Sequence, residues 1–145
     1  MKYFKCGKCS KDYKIDTTNI NSDQLVVTCN SCGGKNMIRL GAILIAQSKD
    51  GLKQFRLKIG ENTIGRKSDS STCTIQIEDR YVSRNHAKIH VEEKDKKLYF
   101  FISDSDSRNG THNKTKVKIK SNLKYPMTLN DFYIIGLTKL SLKFN

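Results

Sequence analysis

Two groups of residues in the 145-residue chain have the types and spacing for chemistry. In RYVSRNHAKIHV, residues 80–91, Ser83 and His86 stand three residues apart beside Arg80 and Arg84. A serine within reach of a histidine suggests a nucleophile and its base. That chemistry also needs a group orienting the base and an oxyanion hole. No G-x-S-x-G elbow is present, and His90 and His112 lie at no recognisable catalytic spacing. Hydrolysis is therefore not expected, and the serine is better read as holding a ligand.

The second group is Cys6-Gly-Lys-Cys9 and Cys29-Asn-Ser-Cys32, a C-x2-C-x19-C-x2-C pattern. Two thiolates two residues apart on a tight turn can face one ion, and a second such turn completes a tetrahedral sulfur cage. Gly7 lies in the first turn and Gly33-Gly34 follows the second, where glycine tolerates a positive φ. Two disulfides or a redox C-x-x-C are the alternatives. Nothing marks the chain as secreted, and a redox pair needs no second glycine-flanked copy. The spacing points to one structural Zn2+ held by Cys6, Cys9, Cys29 and Cys32, with no position left for a catalytic water. With LVVT (25–28) read as a strand and KNMIRL (35–40) as its return, the segment resembles a zinc ribbon. That family serves nucleic-acid binding, protein docking and plain structure alike. The fifth cysteine, Cys73, has no ligand-spaced partner and is read as a small, half-buried residue beside a strand.

These residues need a scaffold. Hydrophobic residues make up 37% of the chain, enough for one sizeable core but not two. No apolar run approaches the roughly 20 residues that span a bilayer, and no signal peptide is visible, so a soluble cytoplasmic protein without a membrane partner is expected. Lys and Arg outnumber Asp and Glu 27 to 14, for a net charge of +13. That excess favours polyanionic partners or simply a lysine-rich solvated surface.

From Gly41 onward the pattern is β throughout. AILIAQ (42–47), KQFRLKI (53–59), CTIQIE (73–78), HAKIHV (86–91), KLYFFI (97–102), TKVKIK (115–120), FYIIG (132–136) and KLSLKF (139–144) are rich in branched and aromatic residues. Turn signals separate them, among them Lys49-Asp50-Gly51, Gly60-Glu61-Asn62, Asp95-Lys96, Asn109-Gly110 and Asn130-Asp131. Many short strands with no helical stretch predict an all-β sandwich over 41–145, preceded by a ribbon over 1–40. In KTKVKIK the four lysines share one strand face, read as a lysine-coated outer face rather than a nucleic-acid stripe, since no aromatics interleave.

The polar chemistry falls in three loops: Gly65-Arg66, Ser83-Arg84-Asn85-His86, and DSDSRNGT (104–111) with Asn109-Gly110-Thr111. The ordered set IGR, VSRNHAKI and SRNGT resembles the forkhead-associated (FHA) domain, a β-sandwich that binds phosphothreonine peptides. The resemblance covers about residues 41–145. A phosphate dianion needs convergent donors and positive charge, and arginine's fork matches its oxygens. The resemblance assigns Arg66 and Ser83 to the phosphate and Asn109 to the ligand's main chain. It makes Gly65, His86, Gly110 and Thr111 supports of the loops. Arg84, Asn85 and Arg108 lie beside motif positions and are candidate ligand contacts; Lys67 and Ser68 are within reach. HNKTKVKI after Asn-Gly-Thr, and Asn130-Asp131 where Gly-Asp is common, depart from the family in turns outside the binding loops.

Together these readings imply a non-enzymatic signalling adaptor. Its partner would be a phosphothreonine-containing protein, either a Ser/Thr kinase or a kinase substrate. The alternative is a nucleic-acid-binding regulator that uses the basic ribbon, with the sandwich docking a phosphorylated partner.

Overall fold

The computed structural model describes residues 1–18, 20 and 22–145. Among them every regular element is a β-strand, and no helix is long and apolar enough to cross a membrane. The chain divides into two compact units, residues 1–42 with 143–145, and residues 43–142.

The first unit is two antiparallel hairpins. β1 (Lys2–Lys5) pairs with β2 (Asp12–Ile15), and β3 (Gln24–Thr28) with β4 (Lys35–Arg39). Each hairpin turns through one C-x2-C. The two turns close alike: Ser10 N–H donates to the Cys6 carbonyl at 2.9 Å, and Gly33 N–H to the Cys29 carbonyl at 2.8 Å. Both closing residues are left-handed, with φ of 64° and 71°. The first knuckle thus departs from the glycine expectation. Its left-handed position is the fourth residue after the leading cysteine, which is Ser10 and not Gly7. Little apolar surface supports this unit: Phe4 stacks on Tyr13 at 5.2 Å, and Ile38 and Leu40 are buried.

The second unit is a sandwich of two five-stranded sheets. One runs in the order β12 (Tyr125–Met127), β10 (Lys97–Asp104), β9 (Ala87–Lys94), β7 (Gly60–Arg66), β8 (Ile75–Ile77). The other runs β11 (Thr111–Asn113), β13 (Phe132–Ile135), β14 (Thr138–Phe144), β5 (Ala42–Ser48), β6 (Gly51–Arg56). Alternation drives the packing: in β14 Thr138, Leu140, Leu142 and Phe144 are buried while the residues between them are not. Leu44, Ile135 and Leu140 from one sheet and Ile64, Ile89 and Ile102 from the other are wholly inaccessible. Each such side chain contributes about 1.5–3 kcal/mol by leaving water.

Three expectations from the sequence are corrected. TKVKIK is not a strand. Asn113 Oδ1 accepts from the backbone N–H groups of Thr115 and Val117, both at 3.0 Å, and from the Thr115 hydroxyl. That side-chain bonding turns the chain back, with Lys116 left-handed at φ 65° and Val117 exposed. KQFRLKI ends as a strand at Arg56, and Gly60-Glu61-Asn62 begins β7 instead of forming a separate turn. The corner is held by buried Asn62, whose side chain bonds both the N–H and the carbonyl of Lys58. The short strands β1, β2, β11 and β12 give no signal strong enough to read. β12 contains Pro126, and it lies at a sheet edge, where a missing N–H costs no ladder bond.

Candidate functional site

The three polar loops of the sandwich converge at one end. Arg66 is the last residue of β7, and its N–H donates to the Ser83 carbonyl at 3.0 Å. Gly65 permits this approach: a methyl group there would lie 1.9 Å from the Arg84 carbonyl oxygen. Ser83 Oγ accepts the Arg108 N–H at 3.0 Å. Its hydroxyl hydrogen is therefore free to point at a ligand. Asn109 donates from its side-chain amide to the Tyr81 carbonyl at 2.8 Å, which leaves its own carbonyl oxygen as an acceptor. Arg66 Nη1 lies 3.5 Å from the Arg80 carbonyl, and among the described residues its guanidinium forms no ion pair. A groove of about 720 Å³ opens beside it, lined in part by Lys67, Arg80, Tyr81 and Leu137.

His86 joins two of the loops. Its Nδ1 accepts the Ser83 N–H at 3.0 Å, so the neutral ring carries its proton on Nε2, which lies 2.9 Å from the Gly110 carbonyl and donates to it. Burial of the ring holds its pKa below the ordinary histidine value, and with Nδ1 occupied as an acceptor it is no free base. Ser83 and His86 are thus linked through backbone N–H and ring, not through hydroxyl and ring.

Two supports were not singled out from the sequence. Asp104, 1% exposed, accepts from the Ser107 N–H at 2.9 Å, the Ser107 hydroxyl, the Thr111 hydroxyl at 2.7 Å and the Ser121 hydroxyl at 3.3 Å. Burial pushes its carboxyl up, but the bonds from Ser107 and Thr111 outweigh that and hold it below the usual carboxylate range. Asp79 ties the loop before Ser83 to the β13–β14 turn, accepting from Leu137 N–H at 2.7 Å, the Thr138 hydroxyl at 2.8 Å and Tyr81 N–H at 2.9 Å. The available signal for Asp104 was the Asp-x-x-Ser spacing in DSDS, which favours local side-chain-to-backbone bonds. Asp79 gave none, because its main partners lie 58 and 59 residues away.

The remaining predicted residues are placed as follows. Arg84 and Arg108 are exposed on adjoining loops, and Thr111 is buried against Asp104. Asn85 Oδ1 lies 3.5 Å from the Cys73 thiol, and that thiol also donates to the Arg84 carbonyl at 3.3 Å. Cys73 is buried beneath the loop, 7% exposed, where half-burial is the expectation from sequence. Lys67 and Ser68 are exposed, with Lys67 on the groove.

In the first unit the four cysteine sulfurs lie within 4.8 Å of one another, with Cys6–Cys32 and Cys9–Cys29 both at 3.6 Å. A tetrahedral ion with sulfur at about 2.3 Å separates its ligands by roughly 3.8 Å, so the set can hold a metal ion. The surroundings favour thiolate at Cys6 and Cys29, whereas at Cys9 the backbone bond at Lys11 is outweighed by burial and the neighbouring sulfurs, which push the thiol up to about 11. Tyr13 Oη donates to Cys29 Sγ at 2.9 Å and, with backbone N–H groups of the knuckle, lowers that thiol to about 6. Gly34 N–H lies 3.4 Å from Cys32 Sγ, and Asn36 Nδ2 lies 3.5 Å from Cys6 Sγ.

No curated protein matches the chain. Among solved structures, full-length yeast Pml1p is 20% identical, with a TM-score of 0.64 over 74% of this chain and 83% of that one. The FHA domain of CT664 from Chlamydia trachomatis is 25% identical, with a TM-score of 0.60 over 71% of this chain and 96% of the other. An FHA domain studied for phosphothreonine-dependent interactions is 22% identical, with a TM-score of 0.55 over 71% and 97%. The family model described as the FHA domain matches residues 62–136, which contain all three convergent loops, and the chain belongs to that family.

Proposed function

We propose that the chain is a non-enzymatic adaptor that binds a phosphothreonine-containing segment of a partner protein, itself a Ser/Thr kinase or a kinase substrate. One observation carries the reading. An arginine with no carboxylate partner among the described residues stands beside a serine whose oxygen is already occupied by the Arg108 N–H, leaving its proton to donate. A dianion fits that pairing of fixed charge and aimed donor. Arg66 and Ser83 would bind the phosphate, and Asn109 would bind the ligand's main chain through its free carbonyl oxygen. Arg84 and Arg108 add charge at the rim, and Asn85 would act mainly through the loop. Gly65, His86, Gly110 and Thr111 keep the loops in place. The solved relative studied for phosphothreonine-dependent interactions supports the same ligand class.

The four cysteines would hold one Zn2+, which supplies no reaction but locks the two hairpins together. Zinc with four thiolates carries a net double negative charge. Lys8, stacked against Gly34 beside Cys32, and Lys11, bonded to Asn30 at 2.7 Å, would balance it locally.

The test is binding of paired Thr and phosphothreonine peptides from a library. Phospho-dependent binding should be abolished by Arg66→Ala and reduced about tenfold or more by Ser83→Ala, both proteins remaining folded; a lost hydrogen bond to a charged group is worth about 1.5–3 kcal/mol. Equal affinity for phosphorylated and unphosphorylated peptides would overturn the reading.

A further inference from the structure

The segment after the Asn109 loop carries cations that the phosphate does not require. Lys118 sits opposite His112 in the returning arm of the Asn113 turn, where Ile119 N–H donates to the Thr111 carbonyl at 2.9 Å. From there its side chain runs back across Gly110: a methyl group on that glycine would lie 2.6 Å from Lys118 Cε and 3.1 Å from Cδ. Gly110 follows Asn109 directly and is left-handed at φ 79°. Lys118 Cε, and the ammonium one bond beyond it, thereby lie beside the glycine that follows the residue that would hold the ligand's main chain. Exposed Arg108, Lys116 and Lys120 lie in the same two segments.

Nearby carboxylates leave this charge standing. Asp104 is occupied by Ser107, Thr111 and Ser121. Asp106 accepts from Asn122 at 3.3 Å, and Asp131 pairs with Lys114 at 3.6 Å. Among the described residues, neither Lys118 nor Arg108 forms an ion pair.

We propose that Lys118 is a specificity residue that selects phosphothreonine segments bearing Asp or Glu on the flank that crosses Gly110. The inference rests on the phosphopeptide reading above and narrows its ligand class to acidic segments. A cation whose stem is packed on a glycine loses less freedom on pairing than a free surface lysine does.

The test is fluorescence anisotropy on phosphothreonine peptides in which Asp, Ala or Lys is placed singly at each of four positions on either side. Asp at one or two positions of a single flank should tighten binding about three- to fivefold over Ala, the range of an exposed pair. The gain should shrink at high salt. Lys118→Glu should invert the order at those positions, favouring Lys over Asp. Lys118→Met, which keeps the stem over Gly110, should erase the preference, so a packing defect in the glutamate variant cannot mimic the result. No Asp preference at any position, or one that both variants leave unchanged, overturns the proposal while the phosphopeptide reading stands. Failure of every phosphorylated peptide to bind better than its unphosphorylated twin removes both.

Discussion

The two units of this chain solve the problem of folding by different means. Residues 43–142 bury a continuous alternating core in which Leu44, Ile64, Ile89, Ile102, Ile135 and Leu140 are wholly inaccessible. The only side chains that the cysteine unit buries among its described residues are those of Thr17, Ile38, Leu40, Ala42, Phe144 and the two leading cysteines, and its hairpins are both two-stranded. An isolated two-stranded hairpin is marginal in water, so a metal ion held by the four sulfurs would supply what this unit lacks in apolar burial. The lesson is that the same β-hairpin element occurs both on a continuous apolar core and around a cluster of four cysteines that can hold a metal ion.

The largest predicted effect breaks that symmetry. Stripping metal with a chelator, or replacing Cys29 with Ser, should unfold the cysteine unit and leave the sandwich standing. Structural zinc binding is worth about 10–16 kcal/mol in small metal-dependent domains. Hydrogen exchange should show protection lost over residues 1–40 and kept in β9 and β10, and metal analysis should find about one zinc per chain beforehand. Simultaneous loss of protection in both units would show that the sandwich is not independently stable.

A smaller effect probes the sandwich from its own side. Leu140→Ala should cost about 2–5 kcal/mol, as a large-to-small change in a closed core. Gly65→Ala should cost about 1–3 kcal/mol, because the atom in the way is a backbone oxygen that cannot rotate aside. The two are distinguished by binding. Leu140→Ala should lower the melting temperature with phosphopeptide affinity kept below the transition. Gly65→Ala should lose affinity as well, since it separates Arg66 from the Ser83 loop. Equal effects on affinity would show that loop and core are not separable.

What could be read in advance follows the same division. The alternation of KLSLKF survives because one face of β14 is buried and a one-residue slip would expose Leu140 and Leu142. KTKVKIK alternates just as cleanly, yet Asn113 offers its carbonyl to Thr115 and Val117 and turns the chain. Periodicity cannot see a competing side chain. The convergence of Arg66, Ser83 and Asn109 was legible because they sit in short loops whose order survives in one dimension. Asp79 was not, since its work is done against Thr138, on the far side of the sandwich sequence. The cysteine pattern was legible because ligand spacing is local, but Ser10 in place of Gly7 was not, because the left-handed residue is set by the turn's closure.

The smallest predicted effect uses the fact that all three histidines lie in the sandwich unit. His86 and His90 are both held below the ordinary histidine value, chiefly by burial, with Lys124 adding to the effect at His90. The unfolded chain therefore takes up these protons near pH 6.5, before the folded chain does, and stability falls as pH drops below about 6.5. Asp104 is held below the usual carboxylate range, so its contribution is kept through this window and lost only in stronger acid. The melting temperature of the sandwich should thus decline between pH 7 and pH 5. His86→Gln can still donate to the Gly110 carbonyl but cannot titrate, so it should flatten the decline while lowering the plateau, since no ring nitrogen then accepts the Ser83 N–H. A decline of the same steepness in that variant would assign the effect to His90 and its Ser103 partner, 2.9 Å away, leaving the ring that joins the Ser83 and Gly110 loops indifferent to pH.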